Sequence, residues 1–270
     1  MQNPIDFINT VKNLENVSRL NILREYLQVM ILKILYQIKN SEYLRFGGGT
    51  CLRICHNLPR YSEDLDFSLD QKAVDTKKIM NELQFGFKEQ NVDFELFIPE
   101  AIDRKIVKKY WLKFPNLLHA IGYSPHRSQK FFIKLEIDSN PPKKGKGEFF
   151  YVEKFNEYFP IFKSDLPTLF AGKIGAVCER GYHAMRDFYD LLWYLNKKIL
   201  PNYEELQEIG INIKNSQELI NLLTEKTKDI NGDKLLSDLG EFLENSVEKQ
   251  ILKNYHQVFN QAGKRFLEEG

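Results

Sequence analysis

Two acidic residues separated by a single residue, Asp64 and Asp66, follow a run of three glycines in the segment FGGGTCLRICHNLPRYSEDLDFSL, residues 46–69. On an extended strand, side chains two positions apart share one face and lie about 6 to 7 Å apart. Two carboxylates held this close repel each other unless a cation lies between them. Mg²⁺ prefers oxygen ligands and commonly recruits substrate phosphates as well. The pair therefore predicts a site for Mg²⁺, or for Mn²⁺, that takes a phosphorylated substrate.

The glycines upstream of the acidic pair predict a phosphate-binding turn. Gly48 and Gly49 permit positive φ angles and close approach of the backbone, and a helix that begins near Thr50 presents amide donors to an anion. Ser62 can add a hydroxyl from the far side of the segment. Each feature alone has a simpler explanation, because glycine runs are usually turns and acidic pairs usually lie on solvated strand edges. Their order within one short segment is what favours a nucleotide site.

Short strands and helices are predicted to position these residues. Apolar residues at helical spacing predict a long amphipathic helix over 14–39 that covers one face of the fold. Strand, turn, helix and strand then follow over 43–69, and the second strand directs Asp64 and Asp66 outward from an apolar face. The next elements are a helix over 75–89 and strands over 92–98 and 130–138.

The strand over 130–138, KFFIKLEID, can supply a third carboxylate. The period of two places Lys134, Glu136 and Asp138 on one face of this strand. Either Glu136 or Asp138 could join the aspartate pair, and the alternation does not choose between them.

The chain changes character after Asp165, because the remaining segments to Phe266 are helical in period and nearly free of strand signals. We therefore predict two domains, residues 1–160 and residues 161–270. In the helix predicted to begin near Leu166, Lys173 and Arg180 are seven residues apart and lie on the same side. Phosphate contact and simple solvation are both open to these two cations.

Asp187 and Asp190 lie three residues apart at the start of the next predicted helix. Acidic side chains at a helix N-terminus stabilise the helix through its dipole. Asp187 can therefore be a catalytic or nucleotide-contacting carboxylate, or only a favourable helix terminus, and Asp190 fits the second explanation better.

The bulk composition restricts the partners and the compartment. Thirty-eight basic and 37 acidic side chains give a formal charge of +1, so a nucleic-acid partner needs a local basic patch. Three cysteines without a disulfide pattern favour a reducing, cytoplasmic compartment. The start of the chain lacks the pattern of a secretory signal, and Lys33 interrupts the most apolar segment, so we expect no membrane insertion.

The glycine turn and the D-x-D strand together resemble the polymerase beta-like nucleotidyltransferase superfamily. More narrowly, GGTCLRI and RYSEDLDF look like the first block of the AbiEii/AbiGii-type toxin family, which includes the MenT toxins. The segments IKLEI (133–137), KIGAVCER (173–180) and RDFYDLLWYL (186–195) are similar to its second, third and fourth blocks. Four blocks in the same order make the resemblance specific.

The resemblance implies an α+β fold, with a polymerase beta-like core around a mixed sheet and a mostly helical C-terminal half. It also implies that Asp64 and Asp66 bind metal, with Glu136 as the preferred third carboxylate. Gly48, Gly49, Thr50 and Ser62, together with Arg180, are then assigned to nucleotide binding. Lys173 is assigned to neutralising triphosphate charge, and Asp187 to a further catalytic role.

The function implied is an NTP-dependent transferase, the toxin of a toxin–antitoxin or phage-defence system, with a cognate antitoxin and an RNA acceptor that could be the tRNA 3′ end. For RNA, the basic positions are residues 103–111, His126, Arg127, Lys130, Lys143, Lys144 and Lys146. Two alternatives remain, a glycosyltransferase that uses D-x-D to hold a nucleotide-sugar and a non-catalytic nucleotide- or RNA-binding module. The first gives the Gly-Gly-Thr turn and the later blocks no role.

Overall fold

A computed structural model of the chain describes residues 1–11, 16–100, 102, 105–180, 185–244 and 246–268. The chain forms two compact units. The first comprises Met1–Asn57, Tyr61–Pro141 and Glu148–Lys163, and the second comprises Leu58–Arg60, Pro142–Gly147 and Ser164–Gly270. The short segment Leu58–Arg60 therefore groups with the second unit although it precedes the acidic strand in sequence.

A seven-stranded mixed sheet forms the centre of the first unit. Its strands are β1 (Leu44–Gly47), β2 (Leu65–Leu69), β3 (Glu95–Phe97), β4 (Val107–Phe114), β5 (Phe131–Asp138), β6 (Gly147–Lys154) and β7 (Glu157–Ser164). Their order is β3-β4-β5-β2-β1-β7-β6. β2 is parallel to β5 and antiparallel to β1, while β4 is antiparallel to both β3 and β5. The α+β fold class and the mixed sheet are confirmed.

Helices accompany the sheet and dominate the rest of the chain. Those before β6 are α1 (Pro4–Thr10), α2 (Asn16–Leu35), α3 (Gly48–His56), α4 (Thr76–Glu89) and α5 (Leu117–Ala120). Those after β7 are α6 (Leu166–Arg180), α7 (Met185–Asn196), α8 (Tyr203–Glu208), α9 (Ser216–Thr227), α10 (Gly232–Leu239), α11 (Ser246–Lys253) and α12 (Tyr255–Glu268). Among the described residues after Ser164 there is no further strand, only an isolated bridge between Arg60 and Leu243.

The alternation predicted for the acidic strand is confirmed. In β2, Leu65, Phe67 and Leu69 are buried while the residues between them are partly exposed. β5 follows the same rule, with its odd-numbered residues in the core. The odd-numbered apolar face of both strands therefore lies in the core, and the carboxylates face outward.

Helix α2 differs from the amphipathic helix that its sequence predicts. Every residue from Glu25 to Leu32 is buried, including two polar ones. The Glu25 carboxylate pairs with Arg53 of α3 at 2.6 Å and with Lys154 of β6 at 2.7 Å, and Gln28 donates to two backbone carbonyls. Because these polar groups have partners, the helix can be buried on its polar side as well.

Strands β6 and β7 were not predicted from the sequence. Phe155 and Asn156 at the turn between them have positive φ angles of 55° and 59°. A turn through Phe-Asn lacks the glycine or proline that marks most hairpins, so the pattern gave little sign of it. β7 pairs with β1 in parallel and thus supports the strand that leads into the glycine turn.

Candidate active site

Backbone pairing places the candidate residues of the first unit in one row across four strands. Gly47 of β1 is paired with Asp66 of β2, which is paired with Glu136 of β5, which is paired with Lys109 of β4. Directly paired residues point to the same face of a sheet and their Cβ atoms lie about 5 Å apart. The row therefore brings the glycine turn, two carboxylates and one cation together.

The same register distinguishes the two candidates for the third carboxylate. Asp138 is paired with Ser68, two residues further along the strands than the pair of Asp66 and Glu136. Its carboxylate accepts a hydrogen bond from the backbone amide of Asn140 at 2.9 Å. Glu136 is the direct neighbour of Asp66. The placement supports Glu136 as the third carboxylate.

Gly48 is required at its position by both its backbone and its surroundings. Its φ angle is +70°, and a Cβ atom built there would lie 2.0 Å from Oδ2 of Asp66. Helix α3 begins at this residue, two residues before the predicted start at Thr50. The acidic strand and the first turn of the helix thus approach each other more closely than any side chain at position 48 would allow.

Replacing Gly48 with alanine is expected to displace the Asp66 carboxylate and to lower the activity of this site about a hundredfold, the scale associated with a misplacement of about 1 Å in a catalytic group. Gly122 is a matched control, because its φ angle is +71° but a Cβ atom there would meet nothing within 4 Å. Gly122→Ala carries the same backbone strain of about 1–3 kcal/mol. Equal activity losses in the two variants would contradict the close approach to Asp66.

Thr50 and Gln28 hold the segment that carries the aspartates. The Thr50 side chain is buried, and its hydroxyl donates to the backbone carbonyl of Asp64. The Gln28 amide donates to the backbone carbonyls of Ser62 and Glu63, both at 3.0 Å. Thr50, predicted from the resemblance to bind nucleotide, is placed to position Asp64 through the backbone, and Ser62 remains partly exposed beside it.

Two lysines of the sheet neutralise the carboxylates. Nζ of Lys134 lies 3.0 Å from Oδ2 of Asp64 and 2.8 Å from Oε1 of Glu136. Nζ of Lys109 lies 3.1 Å from the same Glu136 oxygen. Partial burial acts to raise the pKa of Glu136, but its hydrogen bonds to the two lysines outweigh burial and hold that pKa below its ordinary value.

The donor set is suited to a hard divalent cation. Asp64, Asp66 and Glu136 offer only carboxylate oxygens, which Mg²⁺ and Mn²⁺ favour, and an ammonium group already bridges two of them. Within the part of the chain that the structure describes, no three His, Cys, Asp or Glu side chains converge closely enough to hold a metal ion. A metal held by Asp64 and Glu136 would need the ammonium that bridges them to move and the carboxylates to draw closer together.

In the second unit, the predicted residues of α6 and α7 form a buried ionic cluster. Nζ of Lys173 lies 2.5 Å from Oδ1 of Asp187 and 2.8 Å from Oδ2 of Asp190. Arg60 binds Asp190 through two contacts of 2.6 Å, one from Nε and one from Nη2. The seven-residue spacing of Lys173 and Arg180 predicts only that both lie on the same side of α6. It does not predict that Lys173 pairs with the carboxylates of the following helix.

Burial separates the roles of the two aspartates. Asp190 is fully buried, and although burial acts to raise its pKa, Arg60 and Lys173 hold that pKa below the ordinary value. Asp187 is nearly as buried, yet its Oδ2 atom has no hydrogen-bond partner among the residues that the structure describes. An unsatisfied buried carboxylate oxygen is costly and calls for an explanation, such as a catalytic role or a bound water or ion. The side chain of Arg180, the other predicted phosphate contact of α6, lies outside the described residues.

Sequence reasoning gave no role in this site to Lys134, Lys109 or Arg60, although it placed Lys109 in the basic segment 103–111 predicted for RNA. The first two could have been found from the alternation of β4 and β5, which puts cations on the same face as the carboxylates. Arg60 could not, because its partner Asp190 is 130 residues away in sequence. A single sequence contains no signal for such a pairing.

The basic positions predicted for RNA are only partly available. Asp103 and Arg104 lie outside the described residues, while Lys130 pairs with Glu95 at 2.5 Å and Lys109 with Glu136. An open depression of about 420 Å³ in the first unit has three lysines in its lining; it is formed by Leu69, Lys72, Lys105, Ile106, Lys108, Ser139 and Asn140. Two of these lysines, Lys105 and Lys108, come from the segment 103–111 that was predicted to contact RNA.

The model of the family described as nucleotidyl transferase AbiEii toxin, type IV toxin–antitoxin system, matches residues 31–267. No curated protein matched the chain. None of the described helices has the length and apolar character needed to cross a membrane.

Two solved structures are similar to this one. A structure described as a candidate nucleotidyltransferase from H. pylori has a TM-score of 0.56 and 20% sequence identity, over 95% of this chain and 97% of that chain. The structure of JHP933 from Helicobacter pylori has a TM-score of 0.51 and 19% identity, over 92% and 94% of the two chains. At these identities the likeness shows a shared fold.

Proposed function

The chain belongs to the AbiEii family of nucleotidyl transferase toxins, and from this we propose that it uses a divalent metal to transfer a nucleotide from an NTP to an RNA acceptor. The observation that carries the proposal is the paired row of Gly47, Asp66 and Glu136, in which a helix-initiating glycine turn meets two carboxylates. Such a turn suits phosphate and such carboxylates suit metal.

Asp64, Asp66 and Glu136 are the proposed metal ligands. A bound Mg²⁺ or Mn²⁺ would polarise the α-phosphate and stabilise the charge that develops as pyrophosphate leaves. The other residues of the site hold the nucleotide and the metal ligands in place. The backbone of Gly48 and Gly49 holds phosphate oxygens, Thr50 fixes the Asp64 backbone, and Ser62 offers a hydroxyl to the same nucleotide.

For the second unit, Lys173 is proposed to neutralise triphosphate charge and Asp187 to act in catalysis, as the family resemblance implies. The unpartnered Oδ2 atom of Asp187 supports a role beyond structure. A carboxylate in that state can accept the proton of an acceptor hydroxyl. Asp190 is proposed to be structural because Arg60 occupies both of its oxygens.

RNA is the proposed acceptor of the nucleotide. Among RNAs, we propose the 3′ end of tRNA. The lysine-rich depression supports an RNA partner, since lysines at a concave surface attract a phosphate backbone. The family match supports a cognate antitoxin, because its description is that of a toxin of a type IV toxin–antitoxin system. A growth-inhibiting role in the cytoplasm and a place in phage defence are proposed from the resemblance. A D-x-D glycosyltransferase and a non-catalytic binding module have no support from the family match.

The test is a screen with each of the four α-labelled NTPs, Mg²⁺ or Mn²⁺, and total RNA. We expect one or more NTPs to label RNA only when metal is present, and tRNA-sized bands to carry the label. Ribonuclease treatment controls for label on protein. Metal-dependent label on another acceptor would overturn the RNA assignment, and no label with any NTP would contradict the transferase proposal.

A further inference from the structure

Lys134 occupies a singular position on the carboxylate face of the sheet. It lies on β5 directly across from Trp111 of β4, and the register that pairs Leu65 with Leu135 sets it beside Asp64 on its other side. Its Nζ atom contacts Asp64 at 3.0 Å and Glu136 at 2.8 Å. The ammonium group is therefore a cation between two of the three proposed metal ligands.

A metal ion and this ammonium cannot use the same oxygens together. Mg²⁺ requires oxygen atoms at about 2.1 Å in near-octahedral geometry, which is much closer than the ammonium contacts. The Lys134 ammonium also cancels carboxylate charge that would otherwise attract a divalent ion. The two cations thus compete for one place.

Lys134 has the means to leave this position. Its side chain is 27% exposed, and lysine carries a compact charge on a flexible four-carbon stem. A change of rotamer moves the ammonium into solvent, or onto an incoming phosphate, without any change in the sheet. Lys109 is still more exposed, and it forms an ion pair with Glu136.

We propose that Lys134 is a tethered competing cation that occupies the metal position in the nucleotide-free protein and keeps free divalent ions weakly bound until the nucleotide arrives. The inference rests on the proposed function, because it takes Asp64 and Glu136 as metal ligands. In this account the nucleotide phosphates draw the ammonium away, and metal and nucleotide bind together.

The test measures binding of Mn²⁺ alone, with no nucleotide or RNA, from the loss of the free-ion electron paramagnetic resonance signal at pH 7. Lys134→Gln should bind Mn²⁺ about tenfold more tightly than the wild type, because two partly exposed ion pairs are each worth a factor of a few. Adding Asp64→Asn to that variant should remove the gain. Unchanged or weaker Mn²⁺ binding by Lys134→Gln would overturn the proposal.

Lys113→Gln is the matched control, since it removes one positive charge from the same face of the sheet. Lys113 lies over the ring of Phe97 on β3 and is paired across β4 and β5 with Phe132. Its distant charge is largely screened at physiological salt, so this variant should bind Mn²⁺ as the wild type does. An equal gain in Lys113→Gln would also overturn the proposal.

Two further variants keep the result interpretable. Lys134→Arg retains the charge and should stay weak in Mn²⁺ binding, and Lys134→Met provides a second neutral side chain should Lys134→Gln fold poorly. Failure of the RNA-labelling screen together with tighter Mn²⁺ binding would remove the transferase proposal and leave this inference standing. Transfer activity together with unchanged Mn²⁺ binding by Lys134→Gln would support the transferase proposal and overturn the inference about Lys134.

Discussion

Asp66→Asn is expected to lower nucleotide transfer at least about a thousandfold, because stabilisation by a correctly held metal is worth several kcal/mol in the transition state. Asp66 lies in the centre of the paired row, with Gly47 on one side and Glu136 on the other. The amide keeps the shape of the side chain but removes the charge that the metal needs. Transfer is measured as metal-dependent labelling of RNA, and relief of growth arrest on expression provides a cellular readout.

Asp138→Asn is the control for this prediction. The residue lies on the same face of the sheet, beside Ser68, and loses the same charge. We expect it to retain transfer within about threefold of the wild type, since surface substitutions away from a site have small effects. Comparable losses in Asp66→Asn and Asp138→Asn would show that the third carboxylate has been assigned wrongly.

Asp190→Asn is expected to destabilise the second unit by about 3–5 kcal/mol, because it leaves Arg60 and Lys173 buried with one carboxylate between them. In a protein of this size the melting temperature should fall by on the order of 10 °C. Thermal unfolding followed by circular dichroism measures the change.

The pH dependence of this loss follows from the pKa of Asp190. Because folding depresses that pKa, the carboxylate contributes stability above its unfolded value of about 3.9 and loses it as the pH falls through the folded value. The difference in unfolding free energy between wild type and Asp190→Asn should therefore be full at neutral pH and shrink below about pH 4. A difference that grows on acidification would contradict the ionic assignment.

Asp187→Asn separates function from stability in the same cluster. Lys173 keeps its contact with Asp190 in this variant, and among the described residues Oδ2 of Asp187 has no hydrogen-bond partner to lose. The loss of stability should therefore be well below that of Asp190→Asn, while transfer should fall strongly if Asp187 is catalytic. A large loss of stability with full specific activity would make Asp187 structural as well.

Local patterns in the sequence were sufficient for the parts of the fold that depend on near neighbours. The alternation in β2 and β5 placed Asp64, Asp66 and Glu136 on outward faces, and the glycine run marked the turn before α3. These features depend on residues two to four positions apart, where the period of strands and helices is visible. The sheet register that sets Glu136 beside Asp66 needs a pairing across 70 residues, and periodicity alone does not provide it.

Long-range polar contacts account for the rest. The buried α2 looked amphipathic because the partners of its polar residues, Arg53 and Lys154, lie far along the chain. The Arg60–Asp190 pair joins a loop before β2 to a helix near residue 190. Such pairs determine whether a charged residue lies on the surface, forms a structural ion pair or belongs to a functional site. The composition of the sequence and the spacing of its residues do not distinguish these three cases.

The most direct test of the central claim compares α-labelled with γ-labelled NTP in one metal-dependent reaction with RNA. Nucleotidyl transfer predicts that label from the α-phosphate enters the RNA, that label from the γ-phosphate appears in pyrophosphate, and that Asp66→Asn abolishes both. Entry of the γ-label into RNA would mean phosphoryl transfer and would contradict the account, as would α-labelling that persists without Asp66.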